Sequence, residues 1–157
     1  MDGYNLIGLG HGDLQAARTR LISDLAAYRR ARGHDITIVF DGWQAGSHRE
    51  ERSTVAGIPV IYSRLGDKAD LVIKRLISED KREWIVITSD REIAAHAWAS
   101  GSVPVRSEVF QDILEGRRTS FTDEAATGDE EGPKTRRGKA HTPSRKEKSI
   151  ARVLKKL

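Results

Sequence analysis

A chain of 157 residues with 38% hydrophobic and 32% charged side chains can build one hydrophobic core of ordinary size and has little left for a second. The absence of cysteine excludes disulfides, thiolate metal sites and cysteine nucleophiles, and fits a reducing cytoplasm; no apolar run approaches the roughly 18 to 20 residues that span a bilayer, so no membrane partner is expected. The formal net charge of +4 with a pI near 9.5 favours polyanionic partners, and most of the excess lies at the C-terminus.

In chain order, Asp2-Gly3-Tyr4-Asn5 reads as the end of a strand whose body is missing, because only Met1 precedes the carboxylate. Leu14, Ala17, Leu21, Leu25 and Tyr28 recur at helical spacing and predict an amphipathic helix to Arg32, with Asp13 as N-cap and Gly33 as its stop. The run Ile36 to Gly42, Ile-Thr-Ile-Val-Phe-Asp-Gly, predicts a strand buried on both faces, as in parallel sheets. Trp43 to Ala56 is polar and predicts a loop running into a short helix. Gly57 to Tyr62 predicts a further strand, placed at a sheet edge by Pro59. A turn over Ser63 to Lys68 leads to a helix over Ala69 to Ser78, in which Ala69, Ile73, Leu76 and Ile77 share a face and Asp70 lies at its border. Strand Trp84 to Thr88, helix Arg91 to Ser100, strand Val103 to Val105 and one or two helical turns over Val109 to Leu114 complete the domain. Strands alternating with helices predict an α/β fold with a mainly parallel sheet.

The character changes after Phe121, which divides the chain into a domain over residues 1–121 and a tail over 122–157. An acidic patch, Asp123 to Glu131, is followed by a Lys- and Arg-dominated run from Lys134 to Lys156. Such a segment buries too little apolar surface to order itself. Within it Ile150, Val153, Leu154 and Leu157 recur at helical spacing, which predicts a terminal helix that forms on a partner.

Asp2, Asp41, Asp70 and Asp90 are the main candidates for chemistry. Three stand at strand ends, where ligands bind in open α/β sheets, and one at an adjoining helix. Magnesium and manganese take oxygen ligands, keep several waters and need only one or two direct carboxylates, so these acids suit an open metal site that activates water. The competing reading is structural: Ser89-Asp90-Arg91-Glu92 fits a capping box with Ser89 as cap, and Asp67 can cap the helix carrying Asp70. Asn5 suits support of the first acid, or a simple turn. Gly8, Gly10 and Gly12 lack the spacing of a phosphate loop, and the five histidines show no metal-ligand spacing. Trp43 is a candidate for stacking a base, or for hinge packing. Arg64 and Arg91 beside the acids, and Arg136, Arg137 and Lys139 in the tail, are the candidate contacts to the phosphates of a nucleic acid.

Four stretches in register, Asp2-Gly-Tyr-Asn-Leu-Ile7, Val39-Phe-Asp-Gly-Trp43, Tyr62-Ser-Arg-Leu-Gly-Asp-Lys-Ala-Asp70 and Thr88-Ser-Asp-Arg-Glu92, closely resemble the NYN domain of the YacP type, a branch of the PIN-like nucleases. The resemblance covers about residues 1–115. It implies a PIN-like, Rossmannoid three-layer fold and metal-dependent RNA cleavage, with the acids carried over to Asp2, Asp41, Asp70 and Asp90. Because relatives include a ribosome-associated messenger RNA endonuclease, it also implies a link to translation. Family members carry an apolar first strand before the Asp-Gly-Tyr-Asn motif, in the middle of the sheet. Its absence here predicts unpaired strand edges and a natural start upstream, so that a longer chain should melt higher. In the chain as given, the Met1 amine would stand near the metal and compete with it.

The expected protein is a metal-dependent endoribonuclease acting on single-stranded RNA with magnesium or manganese. The main alternative is a non-catalytic RNA- or ribosome-binding module. A metal-dependent phosphatase is the weaker third reading, because Asp41-Gly42-Trp43 lacks a second acid two residues on.

Overall fold

The computed structural model describes residues 1–7, 13–42, 48–80, 82–117 and 144–157. Its elements run α1 (Gly3–Ile7), α2 (Leu14–Arg32), β1 (Ile38–Phe40), β2 (Glu51–Val55), β3 (Ile58–Tyr62), α3 (Ala69–Glu79), β4 (Ile85–Ile87), α4 (Arg91–Ala99), β5 (Val103–Val105), α5 (Ser107–Leu114) and α6 (Arg145–Leu154). This is an α/β fold with small mixed sheets rather than one continuous parallel sheet: β1-β3-β2 form one sheet and β4-β5 a second. β1 runs parallel to β3, β4 parallel to β5, and β2 antiparallel to β3.

The strands next to the site are buried on both faces, as their unbroken apolar runs predict. Ile38 and Phe40 join Val60, Ile87 and Val105 in one cluster with residues of α1, α2, α5 and α6. Val39 points the other way and packs with Ile61 and Val86 against Ile73 and Ile77 of α3 and Ile93 of α4. Asp13 caps α2 by accepting from the N–H groups of Gln15 and Ala16, and Gly33 ends it in the left-handed conformation, as its sequence predicts.

Three expectations are corrected. The helix predicted before Ala56 is a strand, β2, every residue of which is exposed; with no apolar alternation to read, only its ladder with β3 reveals it. Pro59 does not mark an edge, since β3 lies between β1 and β2. Ala56 and Gly57 both have positive φ, the signature of a two-residue hairpin whose flanking residues, Val55 and Ile58, exchange hydrogen bonds. Thr54 and Pro59 therefore form the next, non-bonded pair, and the ladder to β1 begins only at Val60, so no strand needs the missing Pro N–H. The terminal helix needs no partner. α6 buries Val153, Leu154 and Leu157 in the protein's own core, and the Tyr28 hydroxyl donates to the Leu157 carbonyl at 2.7 Å. The boundary expected at residues 121–122 lies outside the described residues.

Asp2 and Val39 form a single parallel bridge. Val39 N–H donates to the Met1 carbonyl at 2.9 Å and Asp2 N–H to the Ile87 carbonyl at 3.1 Å, so these two residues join β1 to β4. The Met1 ammonium donates to the Thr37 carbonyl at 2.8 Å. Beside it a cavity of about 580 Å³ opens between the two sheets, lined by Ile36 and Thr37, Trp84 and Ile85, and Ile73 and Ile77 of α3. Met1 is one of its lining residues.

Candidate functional site

All four acids gather at the C-terminal ends of the strands. Asp41 follows β1 directly, Asp90 stands three residues beyond β4, Asp70 is the second residue of α3, and Asp2 is the bridge residue between β1 and β4. Burial pushes the Asp2 carboxyl above the ordinary carboxylate range, and the charges of Asp41 and Asp70 push it further, against the lowering effect of the Asn5 hydrogen bond and the Met1 amine. Asp70 is raised as well, by burial first and then by Asp90 and Asp41. Each shifted acid thus feels two of the others, a repulsion that the Met1 amine offsets in part at Asp2. Lys74 and Lys68 offset part of it at Asp70. The Met1 amine, desolvated by burial, drops to about 6.

Backbone and side-chain bonds fix the acids in place. Asn5 donates to Asp2 through its backbone N–H at 3.2 Å and through its amide, and the same amide reaches the Thr88 hydroxyl at 3.4 Å. Thr88 Oγ1 in turn accepts the backbone N–H of Asp90 at 3.1 Å. A buried hydroxyl, 2% exposed, therefore couples the first acid to the last. Asp90 caps α4 itself, its Oδ1 accepting from Glu92 N–H at 2.7 Å and Ile93 N–H at 2.9 Å. Ser89, the expected cap, instead donates to Glu108 at 2.9 Å. Nor does Asp67 cap α3: Asp41 accepts the N–H of Ala69 from across the site, while Asp67 holds Arg64 at 2.6 Å.

Gly42 is demanded by its neighbours. A Cβ there would stand 1.8 Å from the Ser63 carbonyl oxygen, and its N–H donates to Ser63 Oγ at 2.9 Å. Ser63 Oγ donates on to the Asp67 carbonyl at 2.6 Å. The segment after β1 and the turn before α3 are locked together, and with them Asp41 and Asp70.

Among the described residues no three metal-ligating side chains close on one point. The donor set is all carboxylate, half-buried at Asp41, Asp70 and Asp90 and buried at Asp2. That chemistry fits a hard cation that keeps several waters and does not fit a closed protein cage. Arg64 is exposed and tied to Asp67, and Arg91 is exposed at the first turn of α4. Trp43, Arg136, Arg137 and Lys139 lie outside the described residues. Sequence reasoning missed Thr88 and Ser63; the only signal was a hydroxyl residue beside each strand-end motif, whose tertiary partners are far away in the chain.

Comparison with known proteins gives the family and the fold. The family model described as the YacP-like NYN domain matches residues 1–156. Among solved structures, the crystal structure of Rae1 (YacP) from Bacillus subtilis is similar with a TM-score of 0.57 and 25% identity, over 73% of this chain and 71% of that one. A point mutant of the same protein is similar with a TM-score of 0.58 and 25% identity, over 73% and 72%. No curated protein gives a significant match.

Proposed function

The chain belongs to the YacP-like NYN domain family, a PIN-like ribonuclease family, and from that premise we propose that it is a metal-dependent endoribonuclease that hydrolyses single-stranded RNA. The observation that carries the proposal is the convergence of Asp2, Asp41, Asp70 and Asp90 from four separate elements, with the Asp2 carboxyl raised by burial and then by Asp41 and Asp70, and the Asp70 carboxyl raised by burial and then by Asp90 and Asp41. Repulsion of this kind is costly unless a cation is taken up. Asp2, Asp41, Asp70 and Asp90 would hold magnesium or manganese, directly or through waters. When bound, such an ion supplies activation of water and neutralisation of charge on the leaving oxygen. The residues of the chain do the placing: Asn5 and Thr88 orient Asp2 and Asp90, Asp41 and Ser63 fix the start of α3, and Arg64, Arg91 and Trp43 hold the strand. Hydrolysis by water in this class leaves 5′-phosphate and 3′-hydroxyl ends.

The test is cleavage of an end-labelled, unstructured RNA with manganese or with EDTA, comparing the chain with Asp90→Asn. Manganese-dependent cutting that the variant loses supports the proposal. A second reading, a non-catalytic RNA- or ribosome-binding module, is favoured by the lack of three ligands closing on one point among the described residues. It requires no cutting by either protein and RNA binding that survives Asp90→Asn. The finer proposal, a messenger RNA target engaged on the ribosome in the cytoplasm, rests on the family resemblance and predicts faster cutting when ribosomes are added. Among the described residues no helix is long and apolar enough to cross a membrane.

A further inference from the structure

The contacts of α6 place it at the pole opposite the acids. Its end is held by His34, whose ring bonds the Lys156 carbonyl at 2.9 Å, and by Tyr28 near the end of α2. Arg152 pairs with Glu83, and Lys146 stands 5.6 Å from the centre of the Trp98 ring. His34 precedes β1, Glu83 precedes β4, and Trp98 belongs to the last turn of α4, which starts at the acid pole. All these partners thus lie at the N-terminal ends of the parallel strands, whereas Asp41 and Asp90 follow the C-terminal ends.

The exposed side of this helix is almost purely cationic. Arg145, Lys146, Lys148, Arg152, Lys155 and Lys156 are exposed, and the one acid, Glu147, is spent in a capping box with Ser144. Arg32 of α2 adds its charge beside Tyr28. A solvated helix face is the plain alternative, and for Lys155 and Lys156 the helix dipole would suffice, since cations are favourable at a C-terminus. Lys146 faces the Trp98 ring, but neither that ring nor the dipole explains Arg145 and Lys148. They sit at the N-terminal end of α6, where positive charge is unfavourable and helix stability alone would select acids. Cations held there against the dipole point to an external anion.

We propose that the exposed face of α6, with Arg32, is a second RNA-binding surface that grips the phosphate backbone of a structured RNA while the opposite pole acts on a single-stranded part of the same molecule. The proposal rests on the nuclease reading for the second half of that statement only. Phosphate contact by such a face is independent of sequence and strongly dependent on salt. The geometry separates binding from cutting: an RNA too short to reach both poles would use the acids alone.

The test uses the full chain in the Asp90→Asn background, with EDTA, so that binding is read whether or not the protein cuts RNA. A fluorescent RNA hairpin with a single-stranded 3′ extension is titrated across a salt series against that protein and against the same protein carrying Arg145→Gln, Lys148→Gln, Lys155→Gln and Lys156→Gln. Loss of at least about tenfold in hairpin affinity, with a log–log salt slope shallower by about 3 to 4, supports the surface. Unchanged affinity and slope overturn it, as does an equal loss for a hexanucleotide. Arg145→Gln with Lys148→Gln alone should leave the melting temperature unchanged or raised while weakening the hairpin complex; a lower melting temperature with undiminished hairpin binding would make these cations structural and sink the proposal. Binding to phosphatidylserine vesicles that is lost in the fourfold variant, with hairpin affinity kept, would assign the face to a membrane surface and overturn it too.

Discussion

The carboxylate of Asp41, the residue that ends β1, accepts the N–H of Ala69, the first residue of α3, so one acid of the site caps the helix that carries another. Lys68, at the N-cap position of α3, makes no side-chain capping bond. Asp41→Ala should therefore lose both a cap and a charge, lowering stability by about 0.5–2 kcal/mol. Asp41→Asn keeps an oxygen for Ala69 and removes only the charge. Its melting temperature should stay within a few degrees of the parent while metal-dependent cleavage disappears. An Asn variant that melts as low as the Ala variant would show that Asp41 is held by something other than this bond.

Thr88 makes a similar link without being charged. Its hydroxyl accepts the Asp90 N–H and meets the Asn5 amide that also binds Asp2. Thr88→Val keeps the shape and leaves the half-buried N–H of Asp90 without its partner, at a cost of about 1–3 kcal/mol. Cleavage should fall about tenfold or more through displacement of Asp2 and Asp90, and Thr88→Ser should restore it. Because Thr88 touches no substrate in this reading, the loss should appear in kcat at saturating metal rather than in the affinity for RNA. A loss that serine cannot rescue would count against a positioning role.

These two residues also mark where sequence reasoning stops. Asp41 and Asp90 were legible because each closes a short, β-branched apolar run that reads as a buried strand, and strand polarity then sends both to one pole. Asp41 as the cap of α3 was not legible. Local rules offered Asp67, three residues from Asp70, and a bond spanning 28 residues leaves no local pattern. Thr88 pairs with Asn5 across 83 residues for the same reason. α6 showed its apolar stripe plainly, but a stripe says that a face is buried and not against what. β2 showed nothing, since its side chains all face solvent and its backbone pairing has no sequence signature.

Stability should depend on pH and on metal together. Asp2 and Asp70 have folded pKa values above their ordinary ones, so the stability tied to them is present at low pH and lost as pH rises through the raised values. The Met1 amine, lowered to about 6, acts in the opposite sense: its contribution is present above about 8 and lost as pH falls through about 6. Manganese relieves the repulsion among ionised acids, so it should raise the melting temperature clearly at pH 8, much less at pH 5, and little at either pH in Asp90→Asn. Melting curves with manganese and with EDTA across this range decide the matter. An equal rise at both pH values, or in the variant, would mean that the ion binds elsewhere.

The cavity between β1 and β4 makes the last prediction. Its lining joins apolar side chains of both sheets and α3 with charged residues, among them Arg52, Glu79, Asp80 and Arg82, and Met1 is one of the lining residues. Adding about four β-branched residues ahead of Met1 lets the chain pair with Thr37 on one side and Ile85 on the other, at roughly 3.3 Å per residue. Each buried aliphatic side chain contributes about 1.5–3 kcal/mol, against about 1–2 kcal/mol per residue of backbone ordering. The net gain should be on the order of 2 kcal/mol, or about 4–8 °C in melting temperature. A Gly/Ser extension of equal length is the control, because it also moves the buried amine away from the acids but adds no apolar surface. The β-branched extension should melt well above the Gly/Ser one. Equal melting of the two would show that the benefit lies in removing the charge at Met1 and that the cavity does not accept a strand.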